Sequence, residues 1–388
     1  MGRRSNAVDV MEAAYSLGFV SFGVASAAEP LYYDELVRWL AEGKHGDMKW
    51  FERNLQLRRD PRGLLKDCRA VVCLAYPYSR EKPCTPDGFS VSRYSEPLLD
   101  DYHKRLRKLA GEVAAVIRRR YPGSRSRVCV DSAPVMERSL AAASGVGFIG
   151  KNTSLIVPGV GSCVYLVEIL TTAPFAPTPP LPESAGSCGD CTKCLDACPT
   201  GALEAPYRLD AAKCLSYLTI EHRAPVKVGI GRLMGSCILG CDRCQEVCPY
   251  NSGMESEKIC LPSSRDFLNM DDEAFDSRFG RTALARAGIE KLKENIKAVM
   301  AGSSSRQKRL KLKEIPCITS DMTILDIVSS YRETEKVFKR YDEKAGVCLC
   351  CQALFDPLED VADKFGLDLE QVLSDLEKAA NKGEGVTD

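Results

Sequence analysis

Apolar residues fall along this chain in short runs and stripes whose period changes with position. Residues 70–76, AVVCLAY, form an unbroken apolar run rich in valine, the mark of a buried strand. SRVCVD (126–131) and SCVYLVEILT (162–171) predict two more strands. Between residues 101 and 121, Leu106, Leu109, Val113 and Val116 recur at helical spacing beneath a basic outer face. APVMERSLAAASG (133–145) predicts a helix with Pro134 in its first turn and Gly145 just past its end. TTAPFAPTPPLPESAGS (171–187) breaks every period with proline and small residues, and predicts an extended strap at a domain boundary. Residues 271–302 return to helical spacing, 303–314 form a basic, serine-rich linker, and Pro316 to about Lys382 form a separate unit with two or three helical stretches. No solenoid-type repeat is present.

Composition narrows the picture. The 388 residues suffice for two or three domains. Lysine plus arginine and aspartate plus glutamate both number 53, so no global charge favours a nucleic acid, and only a local basic face remains for one. No apolar run of ~18 residues exists, which predicts no membrane span. The start, MGRRSNAVDVMEAAYSLGF, lacks the apolar core of a secretory signal, and a cytoplasmic chain is expected. Against that background nineteen cysteines are many. Their close spacing without an export signal favours metal or cluster ligation over a disulfide scaffold.

The cysteines concentrate between 188 and 248. CGDCTKCLDACP sets Cys188, Cys191, Cys194 and Cys198 at the bacterial-ferredoxin spacing for [4Fe–4S] clusters, in which the fourth cysteine of a run serves the other cluster. A related half, CDRCQEVCPYN, supplies Cys241, Cys244 and Cys248. One cluster is then expected on Cys188, Cys191, Cys194 and Cys248. The other falls to Cys198, Cys241, Cys244 and the isolated Cys214, which makes up the ligand missing from the shortened second run. Zinc is the rival for CxxC pairs. Cys237 is an alternative ligand or a packed thiol. Two all-cysteine clusters make a wire, so chemistry is expected in the N-terminal domain.

HGDMKWFERNLQLRRDPRGLLKDCRAVV (45–72), SRY followed by DYHKRLRKLA (92–110), VDSAPVMERSLAAASGVGFIGKNTSLI (130–156), GSCVYLVEILT (161–171), CLSYLTIEHRAP (214–225) and CDRCQEVCPYN together resemble the epoxyqueuosine reductase family over about residues 8 to 300. That family is the cobalamin-dependent iron–sulfur group acting last in tRNA queuosine synthesis. The resemblance implies an α+β chain. Its parts are a mixed α/β cobalamin-binding catalytic domain (1–178), a ferredoxin-like double-cluster domain (179–255), a helical extension (256–302), a basic linker (303–315) and a small helical domain (316–388). It also implies electrons passing from the clusters to cobalt, and Asp131 of the VDSAPVxER motif as proton source, with a pKa raised by desolvation. Tyr94, Tyr102 and His103 are expected to line the cofactor or substrate pocket, and Lys151 and Asn152 to meet cofactor amides or phosphate. His222 and Arg223 are expected near the clusters, and Arg58, Arg59 and Arg62 are candidates for tRNA phosphates or a solvated face. The implied partners are tRNA and an external electron donor such as a ferredoxin or flavodoxin, with no membrane.

Three features depart from the family pattern. The HEAT-like repeat that helps hold tRNA stops near Gly302. In its place, residues 318–379 resemble a small helical domain of unknown function, in which Cys348 and Cys351 form a CxxC that reads as a redox dithiol, a metal clip or packing. Cys163 and Val167 stand where the family commonly has a bulky aromatic and a glycine, which predicts an altered cofactor pocket. Two alternatives follow: a small-molecule substrate, as in reductive dehalogenases, or a ferredoxin-like carrier without catalysis.

Overall fold

A computed structural model describes residues 7–251, 261–303 and 318–382. The chain divides into two compact units. The larger is formed by residues 1–84, 89–259 and 264–307, and the smaller by 85–88, 260–263 and 308–388.

The larger unit is built on a four-stranded sheet in the order Ser21–Ser26, Ala70–Pro77, Val164–Thr171, Ser126–Cys129. Every neighbouring pair is antiparallel. Ala70, Val72 and Leu74 pack with Val167 and Ile169 against the helices Val8–Ser16 and Tyr102–Arg120. Val71, Cys73 and Ala75 face the other way, with Cys129, Leu170 and Leu140 of the helix Glu137–Ala143. Burial on both faces explains why AVVCLAY shows no apolar–polar alternation although its neighbours run antiparallel. The helix Tyr102–Arg120 buries Leu106, Ala110, Val113, Ala114 and Ile117, with Leu109 and Val116 flanking the stripe.

Two boundaries differ from the sequence expectation. The strand predicted to reach residue 131 ends at Cys129, and the helix predicted from 133 begins at Glu137. Residues 130–136 are therefore a loop, and Pro134 stands outside the helix. The loop is set by Asp131, whose φ of 53° no strand or helix accommodates.

The cysteine-rich segment joins this unit through short elements. The helices Lys193–Asp196 and Arg243–Glu246 pack together, and the strand Cys237–Leu239 runs parallel to Ser90–Val91. At Gly240 (φ +73°) a Cβ would fall 1.9 Å from Ser92 Oγ, so only glycine permits this approach. Gly240→Ala should lower stability by about 1–3 kcal/mol, read as a drop in Tm. An unchanged Tm would show that the two segments can separate without cost.

The smaller unit is helical: Ile324–Ser330, Glu335–Ala345, Leu349–Gln352, Leu358–Phe365 and Leu369–Lys382. These are more stretches than the two or three expected, because Gly346 and Gly366 take left-handed φ values and end helices that the apolar pattern alone would continue. Ile324, Ile327, Phe338, Leu358, Val361 and Leu376 form its core. Cys348 N-caps Leu349–Gln352. The side chain of Cys351, and the basic linker from residue 304, lie outside the described residues. Among the described residues no helix is long and apolar enough to cross a membrane.

Candidate redox and proton-transfer site

None of the eight predicted cluster ligands is joined in a disulfide. No three described His, Cys, Asp or Glu side chains close around a single ion. The eight predicted ligands instead form two looser groups whose charges act on one another. Burial raises the pKa of Cys248, and the neighbouring Cys188 and Cys191 add to it. Cys194 is raised by burial and then by Cys188 and Cys248. In the other group, burial raises Cys214, with Cys198 adding to it, and raises Cys241, with Cys214 adding to it. Cys244 is raised by burial and by Cys241, Cys214, Cys194 and Cys198, so the two groups lie side by side.

Backbone donors reach two of these sulfurs. The Lys151 N–H donates to Cys188 Sγ at 3.4 Å. For Cys198, burial opposes ionisation, but the N–H groups of Leu203, Thr200 and Ala202 outweigh it and lower the pKa. Cys198 lies just past the helix Lys193–Asp196. Cys237 stands apart: its thiol donates to the carbonyls of Leu239 (3.4 Å) and Gly240 (3.2 Å), and burial pushes it to about 12. It is a packed neutral thiol.

The second cysteine run is clamped to the sheet domain. Buried Asn251 accepts from the Ser162 N–H at 2.7 Å and donates through Nδ2 to Ser162 Oγ and Gln245 O. Gly161 (φ +102°) makes room for it, since a Cβ there would meet Asn251 Oδ1 at 2.0 Å. The Tyr250 hydroxyl bonds Ser187 at both its carbonyl and its N–H, which brings the Cys248 segment beside Cys188.

Asp131 gathers the second part of the site. Its Oδ2 accepts from the Tyr102 hydroxyl at 2.7 Å and lies 3.1 Å from His103 Nε2. His103 Nδ1 sits 2.7 Å from Asp101 Oδ1, and Asp101 caps the helix that carries both Tyr102 and His103. Burial opposes a charge on His103, but the two carboxylates outweigh it and raise its pKa above 6.5. Burial likewise opposes ionisation of Asp131, but hydrogen bonds from His103 and Tyr102 prevail and hold its carboxyl below the ordinary range. The donors, supplied by a helix 28 residues earlier, decide the sign here, whereas the expected rise by desolvation belongs to a pocket covered by the cofactor.

Tyr102 stacks on His103 (4.1 Å between centroids) and on Tyr165 (4.4 Å, 9° between planes), with Tyr94 edge-on at 6.4 Å. The Tyr165 hydroxyl donates to Tyr94 O at 2.5 Å, and Glu96, bridged to Arg105, lies 3.0 Å away. Two arginines reach the same rim. Arg107 donates to Ser132 Oγ at 2.7 Å, and Arg286, paired with Glu221, lends its charge to Asp131.

The remaining candidates fall in different places. Lys151 Nζ donates to Gly189 O, and Asn152 Nδ2 reaches Cys244 O at 3.4 Å, so both lie where the sheet domain meets the cysteines. Arg58 is buried over the Phe51 ring and donates to Val135 O, while the exposed Arg59 pairs with Glu29 and the exposed Arg62 with Asp60. His222 meets Asp47 at 2.9 Å and Arg223 reaches Ala287 O, so they fasten the cysteine segment to its neighbours. Cys163 and Val167 sit in the sheet core among Leu74 and Tyr165. Sequence reasoning missed Tyr165, Asn251 and Gln245, since one aromatic in an apolar strand and two amides after cysteines carry no distinctive spacing.

Residues 58–132 match the family described as "Epoxyqueuosine reductase QueG, DUF1730", and residues 187–251 match the "4Fe-4S double cluster binding domain". The chain therefore carries the double-cluster module that its cysteine spacing predicts. Epoxyqueuosine reductase of Leadbetterella byssophila is 33% identical over 313 residues, covering 76% of this chain and 98% of that one. That of Gloeobacter violaceus is 36% identical, covering 76% and 96%. Among solved structures, an epoxyqueuosine reductase with an epoxyqueuosine-modified tRNA stem loop superposes with a TM-score of 0.69 at 26% identity, covering 94% of this chain and 98% of that one. A Bacillus subtilis epoxyqueuosine reductase, described with its catalytic loop swung out of the active site, does so at 0.67 and 25%, covering 92% and 97%. A chain with this cysteine module, this ordered set of motifs and near-complete coverage of such relatives belongs to the epoxyqueuosine reductase family.

Proposed function

We propose that this chain reduces epoxyqueuosine in tRNA to queuosine in the cytoplasm, drawing electrons from an external donor such as a ferredoxin or flavodoxin. The observation that carries this reading is Asp131, exposed and bonded to Tyr102 and His103, in the same compact unit as two groups of four thiols. A carrier needs the thiols but has no use for an exposed carboxylate held between two donors. The relatives' shared name and the tRNA-bound neighbour favour tRNA over a small molecule.

Removing an epoxide oxygen as water takes two electrons and two protons. Cys188, Cys191, Cys194 and Cys248 would hold one cubane, and Cys198, Cys214, Cys241 and Cys244 the other, so electrons enter through the cysteine segment. The half-buried Tyr102 and His103, stacked on each other and backed by the buried Tyr165, place aromatic and polar edges together, which suits a ligand with a broad apolar body and polar rim. Tyr94, Tyr102 and His103 would hold cobalamin on the Asp131 side, and Lys151 and Asn152 on the side of the cysteines. Cobalamin, when bound, supplies low-valent cobalt as the two-electron reductant.

The residues themselves handle one of the two protons, and solvent supplies the other. Asp131 is held in its ionised form, and His103 keeps its proton to a higher pH than an ordinary imidazole, so the transferable proton stands on His103 Nε2, 3.1 Å from Asp131 Oδ2. It reaches a leaving oxygen through Asp131, the exposed member of the pair. Because the pKa of His103 is raised, the proton is held below that value and lost as pH rises through it. The alkaline fall of kcat should therefore lie above pH 6.5. In Asp131→Asn the His103 titration, followed by NMR among the three histidines, should move back toward 6.5. An unmoved titration would separate the two residues.

The function is tested by incubating epoxyqueuosine-containing tRNA with the anaerobically purified protein, cobalamin and a low-potential reductant, then digesting to nucleosides. Mass spectrometry should show queuosine, lighter by one oxygen. Unchanged epoxyqueuosine with a fully loaded protein would overturn the proposal.

A further inference from the structure

The central strand Val164–Thr171 carries one acid in an otherwise apolar stretch. Glu168 is 0% exposed and pairs in register with Cys73 and Cys129 on the two flanking strands. Neither of its carboxyl oxygens has a hydrogen-bond donor among the described residues. What faces it is a second carboxyl, that of Glu137, in the first turn of the helix packed on this strand. Glu137 Oε1 in turn accepts the Asp131 N–H at 2.7 Å, at the residue held in the left-handed conformation.

A buried carboxylate without a donor, facing a second, half-buried one, is costly, and a single proton between them supplies the missing hydrogen bond and removes one charge. We propose that Glu137 and Glu168 share one proton, and that this proton fixes Glu137 as the acceptor that holds the Asp131 loop in place. Glu137 is thus a positioning residue acting through the Asp131 backbone, and Glu168 is its anchor in the sheet.

The surroundings agree. Cys73 and Cys129, the ionisable groups facing Glu168 from the flanking strands, are neutral thiols: burial raises both, Cys129 to about 12. Glu137 is raised by burial and then by the charge of Asp131, to about 8, with Arg138 on its own helix opposing. Arg58, which feels the charge of Glu137, donates to Val135 O in the loop. Burial also raises Glu168, with Glu137 adding to it. The pair therefore holds its proton at neutral pH. A left-handed aspartate is strained and persists only where its surroundings fix it, and the Glu137 bond is such a fixing contact.

The proposal rests on Asp131 as the proton donor, and its test uses readouts independent of turnover. Infrared difference spectra of the anaerobically purified holoprotein in H2O and D2O at neutral pH should show the C=O stretch of a protonated carboxyl that disappears in Glu168→Gln. Should that variant not fold, Glu137→Gln must remove the same band. The folded pKa of Glu137 exceeds its unfolded 4.5, so the folded state binds the extra proton and stability falls as pH rises from 4.5 toward about 8. The Tm of the wild type should fall across that window, and that of Glu168→Gln should stay flatter. A wild type without the band, a band that survives both substitutions, or equal slopes would overturn the shared proton while leaving Asp131 as donor. An active Asp131→Asn would do the reverse.

Discussion

Asp131→Asn should lower kcat on epoxyqueuosine-containing tRNA by about 10²–10⁴-fold, the usual contribution of a positioned proton donor. The amide keeps the size of the side chain and its acceptor for the Tyr102 hydroxyl, so the loop should hold. What it loses is the charge and basicity that let this same oxygen take up the His103 proton and pass it on. Iron content and visible spectrum should match the wild type, because the eight thiols lie on other segments. Single-turnover nucleoside analysis separates this from a binding defect, since kcat falls while tRNA affinity is kept. Full turnover in Asp131→Asn would remove this residue from the mechanism.

Cys198→Ser should cost one whole cluster, and not the one its place in the sequence suggests. Cys198 belongs to the first run, yet the thiols that interact with it are Cys214 and Cys244. Iron should drop from about eight to about four per chain, and turnover should fall to background because the electron path is broken. Pairing the substitution with others identifies the lost cluster. Cys198→Ser with Cys241→Ser should lose no more iron than Cys241→Ser alone, whereas Cys198→Ser with Cys191→Ser should lose both clusters. The opposite pattern would show that each run serves only its own cubane.

Much of this was legible in the sequence because it is local. The cysteine spacing carries its own geometry: two intervening residues turn successive thiols toward one centre, and Cys198 with its following proline falls beyond that reach. The strand at 70–77 was legible because both its faces are buried, which leaves an unbroken apolar run. The strand Ser21–Ser26 was not, because SFGVAS mixes serine and glycine into a segment buried chiefly by its neighbour. Asp131 could be singled out by its motif, but the sign of its pKa could not, because that sign is set by Tyr102 and His103 on a distant helix. Glu168 was hidden for a related reason: an acid in a strand reads as a solvent-facing position, and only the register with Cys73 and Cys129 places it inside. Asn251 and Gly161 likewise acquire meaning only when the two segments meet.

The central claim is that eight interleaved thiolates hold two cubanes wired to the Asp131 pocket. It is tested most directly by purifying the chain without oxygen and measuring iron and acid-labile sulfide together with the low-temperature EPR of the reduced protein. About eight iron and eight sulfide per chain are expected, with reduced signals showing magnetic coupling between neighbouring clusters. A colourless protein without iron, holding zinc on these cysteines or joining them in disulfides, would contradict the claim.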